Sequence, residues 1–163
     1  MTTAIDTPAA VYCPEAPVHP THSPLVDYTV LPRTPQSVRT ARHWVRDTLG
    51  KFGIPADTID ATVQIVSEFC QNSLRHVPVD PDSPGVMTVT VAAWNGQVKL
   101  TVSDPGGLFQ VPGAGPNGSG EHESGYGLKT IVRALSSNWG IERIHGGKVA
   151  WALIPVAPEG GSR

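Results

Sequence analysis

One segment of the chain, residues 67–76, places a carboxylate and a carboxamide one helical turn apart. Glu68 and Asn72 are four residues apart where the apolar residues repeat with helical spacing, so both side chains can point at one small volume. A carboxylate there can accept a proton or orient a hydroxyl group, and an amide oxygen can bind Mg²⁺. The alternative is a solvated polar stripe, which Arg75 and His76 would extend.

A second carboxylate, Asp104, ends a predicted strand and precedes Pro105-Gly106-Gly107. A carboxylate in this position can accept a hydrogen bond from an exocyclic amine such as that of adenine. Because glycine has no side chain, Gly106 would let a ligand come close to the backbone. The alternative is an ordinary turn after the strand.

A third segment, SGYGLKT at residues 124–130, joins a glycine-rich stretch to a predicted helix. Backbone N–H groups at the start of a helix attract phosphate, and a capping turn is the alternative. The segment does not have the GxGxxG form of a dinucleotide fingerprint. The chain also has no GxxxxGK[ST] phosphate-binding loop.

The pattern of the chain predicts the elements that must position these groups. They are a strand over residues 26–31, a helix with Thr34 as N-cap and Pro35 after it, a second helix over 54–77, a hairpin turning at Asn95-Gly96, a third helix over 128–140 and a last hairpin around Gly146-Gly147. Residues 108–127 are predicted to form a functional or disordered loop. The order indicates an α/β sandwich, with helices layered on one face of a mixed, mainly antiparallel sheet.

Composition bounds the class of protein. The chain has 163 residues, a net charge of −2 and 16% charged residues, which favours one domain and argues against general nucleic-acid or membrane binding. With no apolar span or signal segment, it is predicted to be cytoplasmic. We expect a domain over residues 25–157, a disordered proline-rich tail over 1–24 and a frayed tail over 158–163. Cys13 and Cys70 are predicted to be free thiols, and the scattered histidines do not predict a zinc site.

Together, the three segments resemble the ATP-binding motifs of the GHKL class, which has the Bergerat fold. VSEFCQNSLRHV is similar to the N-box of that class, VSDPGG to its Asp-x-Gly box, SGYGL to its second glycine box, and the loop between them to its ATP lid. The resemblance covers residues 26–156. Within the class of histidine-kinase-like ATPase domains, the chain is most similar to the small anti-sigma-factor serine kinases of actinobacterial type.

The resemblance implies a role for each matching residue. Glu68 would act as general base toward the acceptor hydroxyl, Asn72 would hold Mg²⁺ against the phosphates of ATP, and Asp104 would accept the adenine amine. The remaining residues of the implied nucleotide site are Arg75, Gly106, Gly125, Gly127 and Leu128, with Arg75 pairing with a phosphate or bracing Glu68. His76 would pack at the rim of the pocket.

The resemblance also implies a function. The chain would be a serine/threonine kinase that phosphorylates an anti-sigma-factor antagonist and sequesters a sigma factor. Its partners would be that sigma factor, a small STAS-type antagonist and a second copy of the chain, with no direct nucleic acid and no membrane. Leu108 and Glu123 depart from the pattern of the class. They favour the alternative, a nucleotide-dependent or nucleotide-relic binding module without kinase activity.

Overall fold

Strands and helices follow each other along the described part of the chain. Their order is β1 (Leu25–Pro32), α1 (Pro35–Lys51), α2 (Ala56–His76), β2 (Val86–Trp94), β3 (Gln97–Pro105), α3 (Tyr126–Leu135), β4 (Asn138–Ile144) and β5 (Gly147–Pro155). The computed structural model describes residues 23–76, 82, 85–105, 126–144 and 147–156.

The strands form a five-stranded sheet in the order β1-β2-β3-β5-β4. Each pairing among these strands is antiparallel. The predicted layering of helices on one sheet face is confirmed. The sheet was expected to be mixed, but the described strands contain no parallel pair. The pairs β2–β3 and β4–β5 are hairpins, which are antiparallel, and β5 also pairs antiparallel with β3.

The turn between β2 and β3 has the predicted composition and conformation. Asn95 has a φ of 46° and Gly96 a φ of 71°, which is the left-handed region that a two-residue hairpin turn requires. Glycine adopts this region without steric cost, and asparagine is one of the few other residues that tolerate it. The hairpin predicted at Asn95-Gly96 is therefore confirmed.

The core lies between one face of the sheet and the helices. Buried residues alternate with half-buried or exposed ones along β2, β3 and β5, because successive side chains of a strand point to opposite faces. The inward set comprises Met87, Val89, Val91, Ala93, Val98, Leu100, Val102, Ala150, Ala152 and Ile154. The same alternation directs Asp104 of β3 and Lys148 of β5 toward the helices.

The first helix begins as its sequence predicts and ends in a recognisable turn. Thr34 has extended backbone angles at the N-cap, and Pro35 opens α1. At the other end, Gly53 has a φ of 72°, and the amides of Gly53 and Ile54 donate to the carbonyls of Gly50 and Leu49, each at 3.0 Å. This pair of hydrogen bonds is a Schellman motif, which turns the chain sharply into α2.

The prediction for the third helix is wrong at its C-terminal end. The helix stops at Leu135, whereas residues 138–140 belong to β4. The Ser137 amide donates to the Leu153 carbonyl of β5 at 2.8 Å, and Gly140 pairs with Trp151. Residues 138–140 are therefore held in β4 by cross-strand pairing, although their composition alone does not indicate that the helix ends before them.

Several predictions concern residues outside the described ranges. These are residues 1–22 of the tail predicted over 1–24, the tail predicted over 158–163, Cys13, Gly106, Leu108, Glu123 and Gly125, and Gly146 of the last hairpin. Cys70, in contrast, is described, and it is a buried free thiol as predicted.

Candidate functional site

The C-terminal half of α2 carries the polar residues that the sequence singled out. Asn72 is buried, with 7% of its surface exposed, whereas Glu68 is half-buried and Arg75 is exposed. The Arg75 guanidinium donates to Gln71 Oε1 at 3.1 Å. A solvated polar stripe therefore describes Arg75 but not Asn72, whose burial needs another explanation.

The next residue, Ser73, connects α2 to the end of β3. Its hydroxyl donates to Asp104 Oδ2 at 2.6 Å, and both residues are 1% exposed. A short hydrogen bond to a buried carboxylate is among the stronger ones in proteins. The structure therefore brings the Asn72 segment and Asp104 into one buried cluster, although they are distant in sequence.

Arg33, in the connection between β1 and α1, joins the same cluster. Its Nη2 donates to the Ser73 carbonyl at 2.8 Å, and its Nε lies 3.4 Å from Asp104 Oδ2. The residue is 4% exposed. A buried carboxylate is costly without an opposite charge, and Arg33 supplies that charge to Asp104.

Lys148 approaches Asp104 from the neighbouring strand. The two residues are cross-strand partners in the β3–β5 ladder, and Lys148 is 5% exposed. Burial lowers the pKa of Lys148, the negative charge of Asp104 raises it in part, and the positive charge of Arg33 lowers it, so that the pKa falls from 10.5 to about 8. A lysine with a lowered pKa thus lies beside the carboxylate.

Asn72 and Asp104 each contribute to the cluster a polar atom that is buried without a hydrogen-bond partner among the described residues. These atoms are Nδ2 of Asn72, a donor, and Oδ1 of Asp104, an acceptor. Buried polar atoms are rarely left without partners. The pair fits a ligand that donates to Asp104 and has an acceptor within reach of Asn72, as an adenine nucleotide with its phosphates does.

Glu68 lies one turn before Asn72, half-buried and without a hydrogen bond or ion pair to any other described residue. A carboxylate in this position can accept a proton from a bound hydroxyl group. The chemistry available to the site is a base, an amide that can bind a metal or phosphate, and a carboxylate that recognises an amine.

The third motif is described only in part. Gly127 lies in the first turn of α3, and α3 packs against α2, the helix of Glu68 and Asn72. Gly125 and Gly106 lie outside the described residues, as do the side chains of Leu128 and His76. The roles of these residues stay predictions.

The sequence prediction did not include Arg33, Ser73 or Lys148. The sequence nonetheless indicates that Lys148 is unusual, because the other inward positions of β5 are occupied by the apolar residues Ala150, Ala152 and Ile154. The indication for Arg33 is weaker: a cation just before a helix N-terminus opposes the helix dipole, so it needs a partner elsewhere.

The family of the chain is shown by its similarity to known proteins. The model of the histidine kinase-like ATPase domain matches residues 31–152, which include α1, α2, the Ser73–Asp104 hydrogen bond and Lys148. The chain belongs to this family. Membership of this family implies that the domain binds ATP. The antiparallel sheet with helices on one face is consistent with the Bergerat fold.

A solved structure supports the same assignment. The histidine kinase-like domain is similar to the crystal structure of the RsbU and RsbW domains of Rv1364c from Mycobacterium tuberculosis, with 26% identity and a TM-score of 0.60. The match covers 83% of this chain and 33% of that one, so this chain spans about a third of the length of the solved protein. Among curated proteins, no match is found.

Two features are absent from the described residues. No helix in them has the length and apolar character needed to cross a membrane. They also contain no group of three or more His, Cys, Asp and Glu side chains arranged to hold a metal ion. Mg²⁺ does not need such a group, because it commonly keeps several waters and binds through few protein ligands and the substrate phosphates.

Proposed function

We propose that this chain is an ATP-dependent serine/threonine kinase of the anti-sigma-factor type. The observation that carries the proposal is Asp104: a buried carboxylate with one oxygen held by Ser73 and Arg33 and the other unpartnered among the described residues. In an ATPase-domain chain, this oxygen suits the adenine amine. The proposed domain comprises residues 25–157, with tails at 1–24 and 158–163.

The proposed residues divide binding and chemistry between them. Asp104 binds the base, Gly106, Gly125, Gly127 and Leu128 line the nucleotide, and Arg75 contacts a phosphate or braces Glu68. Asn72 would hold Mg²⁺, which neutralises phosphate charge when it is bound. Glu68 takes the proton of the acceptor hydroxyl as that oxygen bonds to the γ-phosphorus, and the bond from that phosphorus to the leaving ADP oxygen breaks.

The proposed protein partners follow from the family and the solved relative. They are a small STAS-type antagonist, which receives the phosphoryl group, a sigma factor, which is sequestered, and a second copy of this chain. The structure named above contains an RsbW domain, and the similarity of this chain to it supports the proposal that a sigma factor and its antagonist are the partners. The proposed location is the cytoplasm.

Transfer of the γ-phosphate tests the kinase directly. With purified chain, radiolabelled ATP, Mg²⁺ and the antagonist recovered by pull-down from the native host, we expect labelled antagonist. Glu68→Gln should lower the transfer rate by roughly 10²-fold or more, the usual range for loss of a general base, while ATP binding persists. Gln64→Ala, an exposed change one turn earlier on α2, should leave the rate unchanged.

Undiminished transfer by Glu68→Gln would show that Glu68 is not the base. Absence of transfer by the wild-type chain, despite ATP binding measured by titration calorimetry, would instead favour the second candidate, a nucleotide-dependent binding module. Leu108 and Glu123 favour that candidate because they depart from the family pattern. Absence of ATP binding as well would indicate a nucleotide relic.

A further inference from the structure

Arg33 is a buried cation in a place where a cation is not expected. It lies in the short connection before α1, with 4% of its surface exposed. The positive end of the helix dipole is nearby, so the position itself does not favour a positive charge. Removing a guanidinium from water is also costly unless its hydrogen bonds and charge are compensated. The contacts of Arg33 therefore have to explain its burial.

Those contacts converge on one oxygen of Asp104. Arg33 Nε lies 3.4 Å from Oδ2, and the Ser73 hydroxyl donates to the same oxygen at 2.6 Å. Arg33 Nη2 also donates to the Ser73 carbonyl at 2.8 Å, which fixes Arg33 and Ser73 relative to each other. Oδ1 is left buried and without a hydrogen-bond partner among the described residues.

The backbone of Arg33 is fixed as well. Its amide donates to the Gly85 carbonyl at 3.0 Å, and a Cβ on Gly85 would lie 3.7 Å from Arg33 Cδ. Arg33 thus links β1, the C-terminal part of α2, the end of β3 and the residue before β2. A side chain held at so many points can orient its neighbour with little freedom to adjust.

We propose that Arg33 is a positioning residue that reserves Oδ1 of Asp104 for the base of the nucleotide and so sets the preference of the site for adenine over guanine. This inference rests on the proposed function. Arg33 acts through Asp104 and does not itself touch the nucleotide.

The chemistry of the two bases explains the preference. An ionised carboxylate only accepts hydrogen bonds. Adenine carries an amine at the position where guanine carries a carbonyl oxygen, so Oδ1 attracts the first and repels the second. When Arg33 is removed, the carboxyl group loses one of its positive neighbours and one of the contacts that fix its plane. A carboxylate that is free to rotate no longer holds Oδ1 against the base, so it attracts the adenine amine and repels the guanine carbonyl less strongly.

The shape of arginine matters in addition to its charge. The planar guanidinium has donors in a fixed fork, and here Nε faces Asp104 while Nη2 faces the Ser73 carbonyl. Lysine at this position would restore the charge but would not make both contacts in the same geometry. Lysine should therefore restore the base preference only in part.

The experiment compares dissociation constants for ATP and GTP, each with Mg²⁺, by titration calorimetry. The full-length chain is compared with Arg33→Met and Arg33→Lys. Arg46→Met is the matched control, because Arg46 makes an exposed ion pair with Asp60 at 3.0 Å. Circular dichroism and thermal unfolding report on folding of each variant.

We expect Arg33→Met to lower the preference for ATP over GTP by roughly 10- to 100-fold, the scale of a hydrogen bond to a charged group. Arg33→Lys should fall between this variant and the wild type, and Arg46→Met should keep the wild-type ratio. If Arg33→Met does not fold, the ratio measured for Arg33→Lys decides the question.

A wild-type ratio in the Arg33 variants, with both affinities weakened equally, would overturn the inference and leave Arg33 a purely structural residue. That result would not affect the proposed function, because the wild-type chain would still bind ATP. A wild-type chain that binds neither nucleotide would overturn the proposed function, and this inference with it.

Discussion

Lys148 shows at the scale of a single residue how strongly burial controls charge in this cluster. The side chain lies on the helix side of β5, opposite Asp104 and near Arg33. Its burial disfavours the charged form, and its pKa is lowered from 10.5 to about 8. The unfolded chain therefore holds more protons than the folded chain between these two pH values, and stability should depend on pH there.

The sign of this dependence gives a prediction. Where the unfolded state binds more protons, the free energy of unfolding rises with pH. The contribution of Lys148 should therefore be lowest below pH 8 and should increase as the pH rises from about 8 toward 10.5. In Lys148→Met this increase should disappear, as measured by guanidinium denaturation at several pH values. Lys129→Met, an exposed change on α3, should keep the wild-type slope, and an unchanged slope in Lys148→Met would contradict the prediction.

Part of the site was predictable at this scale and part was not. Glu68, Asn72 and Asp104 could be found because each lies in a local motif with recognisable spacing. Arg33 and Lys148 reach Asp104 through tertiary contacts, from the β1–α1 connection and from β5. The local pattern marks these two cations as unusual for their positions but does not say which group they contact, so the sequence indicated the acceptor but not the cations around it.

At the scale of elements, one aromatic ring packs on a glycine across the β4–β5 pairing. A Cβ on Gly140 would lie 3.0 Å from two ring atoms of Trp151, its partner across the strands. The ring nitrogen donates to Glu142 Oε1 at 2.8 Å, and Lys99 Nζ lies 5.8 Å from the ring centre. These contacts hold the ring, which would have to shift by a few tenths of an ångström to admit a Cβ at Gly140.

Gly140→Ala should therefore destabilise the fold. The methyl group has to displace a rigid, hydrogen-bonded ring, and overpacking of this kind costs about 1–3 kcal/mol. Gly50→Ala is the matched control, because nothing lies within 4 Å of a Cβ there and alanine favours a helix by up to about 1 kcal/mol. Urea denaturation followed by tryptophan fluorescence measures both, and equal stability of Gly140→Ala and wild type would contradict the expected clash.

The same hairpin shows why element boundaries were harder to predict than elements. The sequence predicted α1, α2 and the Asn95-Gly96 turn because their signals are local: a proline at the helix start, apolar spacing and a turn dipeptide. The boundary between α3 and β4 depends on Ser137 and Asn138 meeting Leu153 of β5. These contacts form only in the folded sheet, so the local sequence does not reveal where α3 ends.

At the scale of the whole molecule, exposed apolar side chains gather at one edge of the sheet. The exposed large hydrophobic residues of the described chain are Leu25, Val26, Tyr28, Val30 and Val86. The first four belong to β1, which is an edge strand in the sheet. An edge strand with apolar side chains, whose outer backbone edge pairs with no other described strand, is a template for pairing with another chain. Asp27 is its sole charged residue, so two copies of β1 can approach without strong repulsion.

We therefore expect the proposed homodimer to form through β1. Sedimentation of the full-length chain should show a dimer, and Val30→Lys should shift it toward monomer without lowering the unfolding temperature, because Val30 is 53% exposed. Gln64→Lys, which adds the same charge to the exposed side of α2, should remain dimeric. A dimer that survives Val30→Lys and Tyr28→Lys would exclude β1 as its interface.

The pairing of β3 with β5 has a consequence for how the molecule is assembled. Each of these strands belongs to its own hairpin, β2–β3 and β4–β5, and a hairpin can form early because its partners are close in sequence. Joining the two hairpins requires a long loop to close, which costs more chain entropy. We expect this junction, which contains Asp104 and Lys148, to form late, so that the cluster around Asp104 is complete only after both halves of the sheet have met. A nucleotide bound there should slow unfolding and leave the rate of folding nearly unchanged.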